Sequence, residues 1–311
     1  MFNNSRAYNT IVILDDFTIR KTSKICKKIE GEYEWLKNPG NFRCPKVSNF
    51  KKEEYSASYE IEYIHGKTLS QLYVNEELSI DEFVKIFEYL RELIFENLNK
   101  GVPEEDFFYL WHVKESYFQK TSERLHNYGF KFDKPLSLNQ DQLPPLNDLL
   151  KDIEVNVENE DLCFIHGDLC LSNIILSEDY YKTHDLENSL YFIDPRGCFP
   201  NDTISQIGDY KYEVGKLAHS IIGKYDIIKT NHINATTFDG YNFMFDYSIS
   251  NYKRTLDEKF FETFGDLEYM YNVMIHLFLS MVPLHYDNKQ HQITFFANAL
   301  RLYKEKQLKF R

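Results

Sequence analysis

The stretch His166-Gly167-Asp168-Leu169-Cys170-Leu171-Ser172-Asn173, with Asp194 following it, decides how this 311-residue chain is read. It supplies a carboxylate in a loop, an amide five residues later, and a second carboxylate one hairpin further on. Phosphoryl transfer from a nucleotide uses that trio. One carboxylate orients the attacking hydroxyl and takes its proton, while an Asn and another Asp hold magnesium ions on the phosphates. The flanks suit the role. Residues 161–165 are a short apolar run able to carry the loop, and residues 174–176 and 189–193 read as two strands joined by the polar stretch 177–188. The four identities His166, Gly167, Asp168 and Asn173 recur by chance at about 10⁻⁵ per start position, well under one hit in a chain of this length. The competing structural reading is that Asp168 caps a turn and Asn173 supports a loop.

The stretch resembles the protein-kinase catalytic loop H-R-D-x-x-x-x-N at the same Asp-to-Asn spacing. Gly167 in place of Arg makes "HGDLCLSNIIL" more similar to the loop of the aminoglycoside phosphotransferase and choline kinase group. Further on, Asp194-Pro195-Arg196-Gly197 stands where protein kinases carry D-F-G, and its "IDPRG" resembles bacterial phosphotransferases linked to surface-polysaccharide synthesis. Residues 208–223 resemble the "GDPxYDLAKLxHS" helix of those enzymes, with Tyr210 in place of Pro and Glu213 in place of the Asp that braces the catalytic loop from below. The extra methylene of Glu213 shifts the brace without touching phosphate.

This resemblance implies an α+β, two-lobed, protein-kinase-like fold. Residues 1–66 would form the N-lobe, a small antiparallel sheet plus one helix, with the hinge at 62–66. Residues 67–311 would form a mainly helical C-lobe carrying the catalytic loop at 164–173 and the metal-binding turn at 193–197. ATP or GTP would bind between the lobes with Mg²⁺. Asp168 would be the catalytic carboxylate, Asn173 and Asp194 the metal ligands, and His166 a support for the loop. Arg196 would neutralise phosphate or bind a nearby acidic group.

The N-terminal residues are consistent with this frame. Residues 10–14 and 17–21 flank the turn dipeptide Asp15-Asp16, and Lys21 ends the second strand, where a kinase-like fold places the lysine that grips the α- and β-phosphates. Arg20 must point to the opposite face. The preceding turn, residues 3–9, has no glycine, so a G-x-G-x-x-G loop is absent and Ser5 is the candidate β-phosphate contact. Residues 23–37 have helical character and must supply an acid for Lys21; Glu32 is preferred, with Glu30 and Glu34 as alternatives. Residues 56–64 alternate in a way that suits a sheet edge. The backbone at Glu62 and Ile64 then reads as the adenine-binding hinge, Gly66 letting the chain turn.

Ser79-Ile-Asp-Glu82 is a capping box opening a long amphipathic helix. Residues 117–128 read as another helix, 131–145 as a proline-containing loop, and 146–153 as a helix, none of them carrying chemistry by itself. The last hundred residues read as helical and aromatic, with a break at Pro283 that brings His285 and Asp287 forward as possible acceptor contacts.

Bulk properties narrow the partners. The formal charge of −12 lacks the basic footprint of a nucleic-acid binder, while leaving nucleotide binding open. It slightly favours a cationic acceptor. The five cysteines show no C-x-x-C pair, so a reducing cytoplasm is the expected compartment. No apolar run reaches the roughly eighteen residues of a membrane span. Within the enzyme reading the acceptor is a small hydroxyl compound: a sugar or surface-polysaccharide precursor, choline or ethanolamine, or an aminoglycoside. The reading from another class is a nucleotide-binding scaffold without transfer activity.

Overall fold

β-Branched residues on either side of Asp15-Asp16 favour extended backbone, and the chain folds there into its first hairpin. The computed structural model describes residues 9–98, 107–115, 117–199, 203–237 and 239–310. Ser5 lies outside the described residues. β1 (Asn9–Asp15) and β2 (Thr18–Ser23) pair antiparallel, with Lys21 opposite Ile11. α1 (Cys26–Lys37) packs against this sheet and buries Ile29, Gly31, Glu32, Trp35 and Leu36 between it and the rest of the chain. β3 (Val47–Lys52) and β4 (Ala57–Glu62) complete a sheet of order β1-β2-β4-β3.

β4 therefore corrects the expectation of an edge strand at residues 56–64. Ala57, Tyr59 and Ile61 are its buried positions, so the alternation reports one covered face. Both of its backbone edges are nonetheless paired, to β2 and to β3. Face burial and edge pairing are separate properties, and only the first is written in the alternation.

The chain continues through β5 (Gly66–Thr68), α2 (Leu69–Val74), α3 (Ile80–Glu96), α4 (Phe107–Glu115), α5 (Phe118–Asn127), β6 (Leu136–Leu138), β7 (Asp141–Leu143) and α6 (Leu146–Asp152). α3 opens on the expected capping box, in which Ser79 and Glu82 satisfy each other's backbone N–H. Gly66 does not serve a turn. It lies in β5, where an added Cβ would overlap the carbonyl of Leu176, so glycine is required by close strand approach. Residues 131–145 are likewise not a plain loop, because β6 and β7 form a hairpin there.

β8 (Leu162–Phe164) leads into the 164–173 loop, and β9 (Ile174–Ser177) leaves it. After the single-turn α7 (Tyr180–Thr183), β10 (Leu190–Phe192) returns antiparallel to β9, giving a sheet of order β10-β9-β5. β11 (Ile207–Asp209) pairs back onto β8. α8 (Tyr210–Ile221), α9 (Tyr225–Lys229), β12 (Ala235–Thr237), β13 (Asn242–Phe245), α10 (Asn251–Phe264), α11 (Glu268–Met281) and α12 (Lys289–Lys309) complete the chain. The C-terminal part is thus mainly helical but holds a sheet of order β12-β13-β6-β7. Phe243 and Phe245 are inward-facing strand residues of it, which corrects the all-helical expectation. Strands of three or four residues alternate too briefly to stand out from helix in an aromatic sequence. α11 is buried along Met270–Met281 and forms the axis of the C-terminal core, with α8, α5 and α12 around it.

Candidate active site

β2 carries Arg20 and Lys21 on opposite faces and runs two residues beyond them. Arg20 turns outward to Glu60 at 2.6 Å, whereas Lys21 turns inward and is 5% exposed. Its Nζ meets two carboxylates, Glu32 Oε2 at 2.7 Å and Asp194 Oδ1 at 2.8 Å. Glu32 also accepts the Tyr59 hydroxyl at 3.2 Å. Burial alone would lower the Lys21 pKa, but Asp194 and Glu32 raise it well above its ordinary value. Burial likewise favours protonated Asp194, yet Lys21 holds it below the usual carboxylate range. Of the other acids on α1, Glu30 pairs with Lys52 at 2.9 Å and Glu34 with Lys37 at 3.4 Å, both away from Lys21.

The loop after β8 is held from both lobes. From α1, Trp35 Nε1 donates to the Ile165 carbonyl at 2.7 Å. From α8, the two Glu213 oxygens accept the N–H groups of His166 at 2.8 Å and Gly167 at 2.9 Å. The longer Glu side chain thus braces two consecutive amides. Burial pushes its carboxyl up to about 7 in spite of those donors. Gly167 adopts φ 77° with the Arg196 Cβ packed where its own would lie, so no other residue fits comfortably. Burial lowers His166 to about 4, so it is neutral at pH 7, and its Nδ1 accepts the Asp168 N–H at 3.3 Å. That contact is structural support within the loop.

Asp168 presents a half-exposed side chain. Its Oδ1 meets Lys216 Nζ of α8 at 2.6 Å, and its Oδ2 accepts from Asn173 Nδ2 at 3.2 Å. Desolvation favours the neutral acid here, but Lys216, and after it Arg196, hold Asp168 well below the carboxylate range. Asn173 also donates to the Asp168 carbonyl at 2.9 Å, which directs its Nδ2 into the loop and turns its Oδ1 away. Asp194 follows β10 at φ 56°, a left-handed conformation that Asp tolerates better than most residues. It uses Oδ1 on Lys21, and its side chain is 46% exposed. Asn173 and Asp194 therefore offer hard oxygen donors of the kind Mg²⁺ prefers. Among the described residues no group of three His, Cys, Asp or Glu forms a ready-made metal cage.

The remaining expected residues fall in three places. Arg196 donates its backbone N–H to the His166 carbonyl at 2.9 Å and its guanidinium to the Tyr212 hydroxyl at 2.8 Å. In the 62–66 segment, Glu62 and Tyr63 donate their N–H groups to Lys46 and Phe17, and no described residue accepts the Ile64 N–H. His285 is buried against α12, with its ring centre 4.9 Å from Phe295 and 5.9 Å from His291. Asp287 is exposed just before α12. That pair belongs to the packing of the last helices, and the structure does not bring it to Asp168.

Sequence reasoning missed Lys216 and Lys120. Lys216 had a signal, since it lies one turn after Tyr212 on the α8 face that also carries Glu213. Lys120 had none. It comes from α5, is buried, and places Nζ 5.3 Å from the Tyr212 ring centre.

The chain is similar to several solved structures. A thermostable mutant of the aminoglycoside phosphotransferase APH(4)-Ia, in ternary complex with AMP-PNP and hygromycin B, matches 95% of this chain and 93% of its own length, with 9% identity and a TM-score of 0.50. The aminoglycoside-3'-phosphotransferase of type VIII matches 96% and 94% at 14% identity, with a TM-score of 0.46. APH(3'')-Id from Streptomyces rimosus, in complex with ADP and streptomycin, matches 95% and 92% at 14% identity, with a TM-score of 0.44. No protein-family model and no curated protein matches the sequence. At 9% identity what APH(4)-Ia shares with this chain is the fold, α+β and protein-kinase-like, with a small antiparallel N-terminal sheet and a helical C-terminal part.

Proposed function

We propose that this chain is a small-molecule kinase of the aminoglycoside phosphotransferase and choline kinase-like group, moving the γ-phosphoryl of ATP or GTP to a hydroxyl. The observation that carries the reading is the convergence of Lys21, Glu32 and Asp194 in one buried ion-pair set, beside Asp168 and Asn173. A purely structural origin would not require five polar groups from three distant segments to meet at a half-open carboxylate. In APH(4)-Ia the same fold holds AMP-PNP and hygromycin B together, which supports a nucleotide and a small hydroxyl compound as the two substrates here.

In this reading the nucleotide lies between residues 1–66 and 67–311, its adenine on the backbone at Glu62 and Ile64. Lys21, oriented by Glu32, binds the α- and β-phosphates. Asn173 and Asp194 hold Mg²⁺, which when bound offsets phosphate charge. Asp168 orients the acceptor hydroxyl and takes its proton as the oxygen–γ-phosphorus bond forms and the bond to the β,γ-bridging oxygen breaks, releasing the nucleoside diphosphate. Its low pKa keeps it a carboxylate throughout the neutral range, suited to positioning and late proton acceptance. Lys216, already at Asp168, neutralises the transferred phosphoryl group. Glu213, His166 and Trp35 hold the loop that carries these atoms. A sugar or surface-polysaccharide precursor is the leading acceptor, ahead of choline, ethanolamine or an aminoglycoside, and the cytoplasm is the compartment that supplies the nucleotide.

Single-turnover reactions with γ-labelled ATP and a panel of small alcohols test the reading. Label should move to an alcohol with the wild-type protein and stay on ATP with Asp168→Asn. Nucleotide binding without transfer to any acceptor, in cell extract as well as in the panel, would instead favour the scaffold.

A further inference from the structure

The charge around Asp168 has the opposite sign to the charge of the whole chain. Lys216 sits on the carboxylate itself. Behind it, two more cations share one aromatic ring on α8: the Arg196 guanidinium carbon lies 4.9 Å, and Lys120 Nζ 5.3 Å, from the centre of Tyr212. Among the described residues neither Arg196 nor Lys120 has a carboxylate within ion-pair distance. Arg196 ends on the Tyr212 hydroxyl. The acids nearby are committed elsewhere. Asp168 pairs with Lys216, Glu213 accepts two loop amides, and Asp209 accepts the Tyr117 hydroxyl at 2.7 Å while capping α8.

Burying cations without an anion is costly, and the cost shows at Lys120. Burial, then Arg196, Arg124 and Lys216, drive its pKa well below the ordinary lysine value, with Asp168 the only opposing charge among its main influences. These cations are also separate from those on the nucleotide side. Lys21 answers chiefly to Asp194 and Glu32, and Asp194 to Lys21, Lys28 and Asp168. Lys120 from α5 and Arg196 from the turn after Asp194 thus meet at the Tyr212 ring of α8, and neither is paired to the carboxylates that hold Lys21.

Resting on the kinase reading above, we propose that the acceptor carries an oxyanion group, a phosphate ester or a carboxylate, that binds Lys120 and Arg196 while its hydroxyl meets Asp168. An amine-rich acceptor such as an aminoglycoside, or a quaternary ammonium alcohol such as choline, would face the Lys216 and Arg196 charges there and hold Lys120 unprotonated. The overall −12 charge does not reach it, because exposed charges are screened within about 10 Å in ordinary salt, whereas these groups are buried.

The test uses the full chain with γ-labelled Mg-ATP and four alcohols: glycerol, glycerate, glycerol 3-phosphate and choline. It also uses melting of the Mg-AMP-PNP complex with added inorganic phosphate. The expected result is transfer to an anionic alcohol in preference to glycerol and choline, or a melting temperature raised by phosphate. The glycerate and glycerol 3-phosphate arms separate a carboxylate from a phosphate ester. Lys120→Met should raise KM for the anionic acceptor by about tenfold or more, the scale of one charge-assisted hydrogen bond, with a much smaller change in kcat. Lys120→Arg should restore most of that loss, which a merely structural lysine would not require. Affinity for Mg-AMP-PNP, measured in parallel, reports that each variant is folded. Preference for glycerol or choline, or anion effects untouched by Lys120→Met, would overturn the proposal while leaving the kinase reading standing. Failure of the wild-type protein to bind Mg-AMP-PNP would sink both.

Discussion

Replacing Gly197 by Ala should unseat the helix that positions Lys21. Gly197 follows the Asp194 turn at φ 65°, where an alanine costs about 1–2 kcal/mol in backbone strain. The added Cβ would also overlap the backbone carbonyl of Gly31 on α1 and come within 2.7 Å of the Glu32 nitrogen. Backbone atoms cannot rotate aside, so α1 must move, and overpacking of this kind costs about 1–3 kcal/mol. The two effects have the same sign, giving a loss of about 2–5 kcal/mol and, at roughly 2 °C per kcal/mol for a chain of this size, a fall in Tm of about 4–10 °C. Glu32 is the residue after Gly31, so the displacement also stretches its 2.7 Å contact with Lys21. Differential scanning calorimetry reads the first effect and titration with Mg-AMP-PNP the second. Gly31→Ala is the control, because it gains about 1 kcal/mol of helix propensity but sets its Cβ 2.7 Å from the Gly197 oxygen. A Gly197→Ala protein melting within about 2 °C of wild type would refute the claim that α1 is seated on this turn.

Other perturbations follow from the same contacts. Asp168→Asn should lower kcat by about 10²–10⁴-fold while changing the Kd for Mg-AMP-PNP by less than about threefold; equal losses in both would contradict its role at the acceptor. Glu32→Gln breaks a buried pair and should cost about 3 kcal/mol in denaturant unfolding, with weaker nucleotide binding; a neutral effect would mean that Asp194 alone fixes Lys21. Glu213 is raised from 4.5 to about 7, so the folded chain holds its proton to higher pH than the unfolded chain. Its contribution is complete below the unfolded value and is lost as pH rises through about 7. Wild-type unfolding free energy should therefore fall by up to about 3 kcal/mol more than that of Glu213→Gln between pH 4.5 and about 7.5. Parallel curves for the two proteins would exclude a raised pKa at Glu213.

How much of this was legible in the sequence depended on how local the signal was. His166, Asp168, Asn173 and Asp194 lie within 29 residues and carry a spacing that chance does not supply, so their grouping could be read directly. Lys21 was legible because strand alternation leaves only one of Arg20 and Lys21 facing inward. Glu32 was preferred over Glu30 and Glu34 only by resemblance, and in the structure it is Glu32 that lies 2.7 Å from Lys21. The strands β6, β7, β12 and β13 were invisible, because each lasts only three or four residues and the two short hairpins they form are joined into one sheet by a β6–β13 pairing between segments about a hundred residues apart. Lys120 was invisible for a different reason. On α5 it looks like any solvated lysine, and only the packing of α5 against α11 buries it beside Tyr212. Net charge could not show the cluster at Tyr212 either, since a sum over the surface says nothing about the sign at one buried position.

Calorimetric titration of the wild-type chain with Mg-AMP-PNP, repeated with Lys21→Ala, Asp194→Ala and Asp168→Asn, tests the central claim most directly. The account predicts saturable one-to-one binding that is lost or greatly weakened in the first two variants and retained in the third. Absence of binding to wild type, or binding indifferent to Lys21 and Asp194, would contradict it.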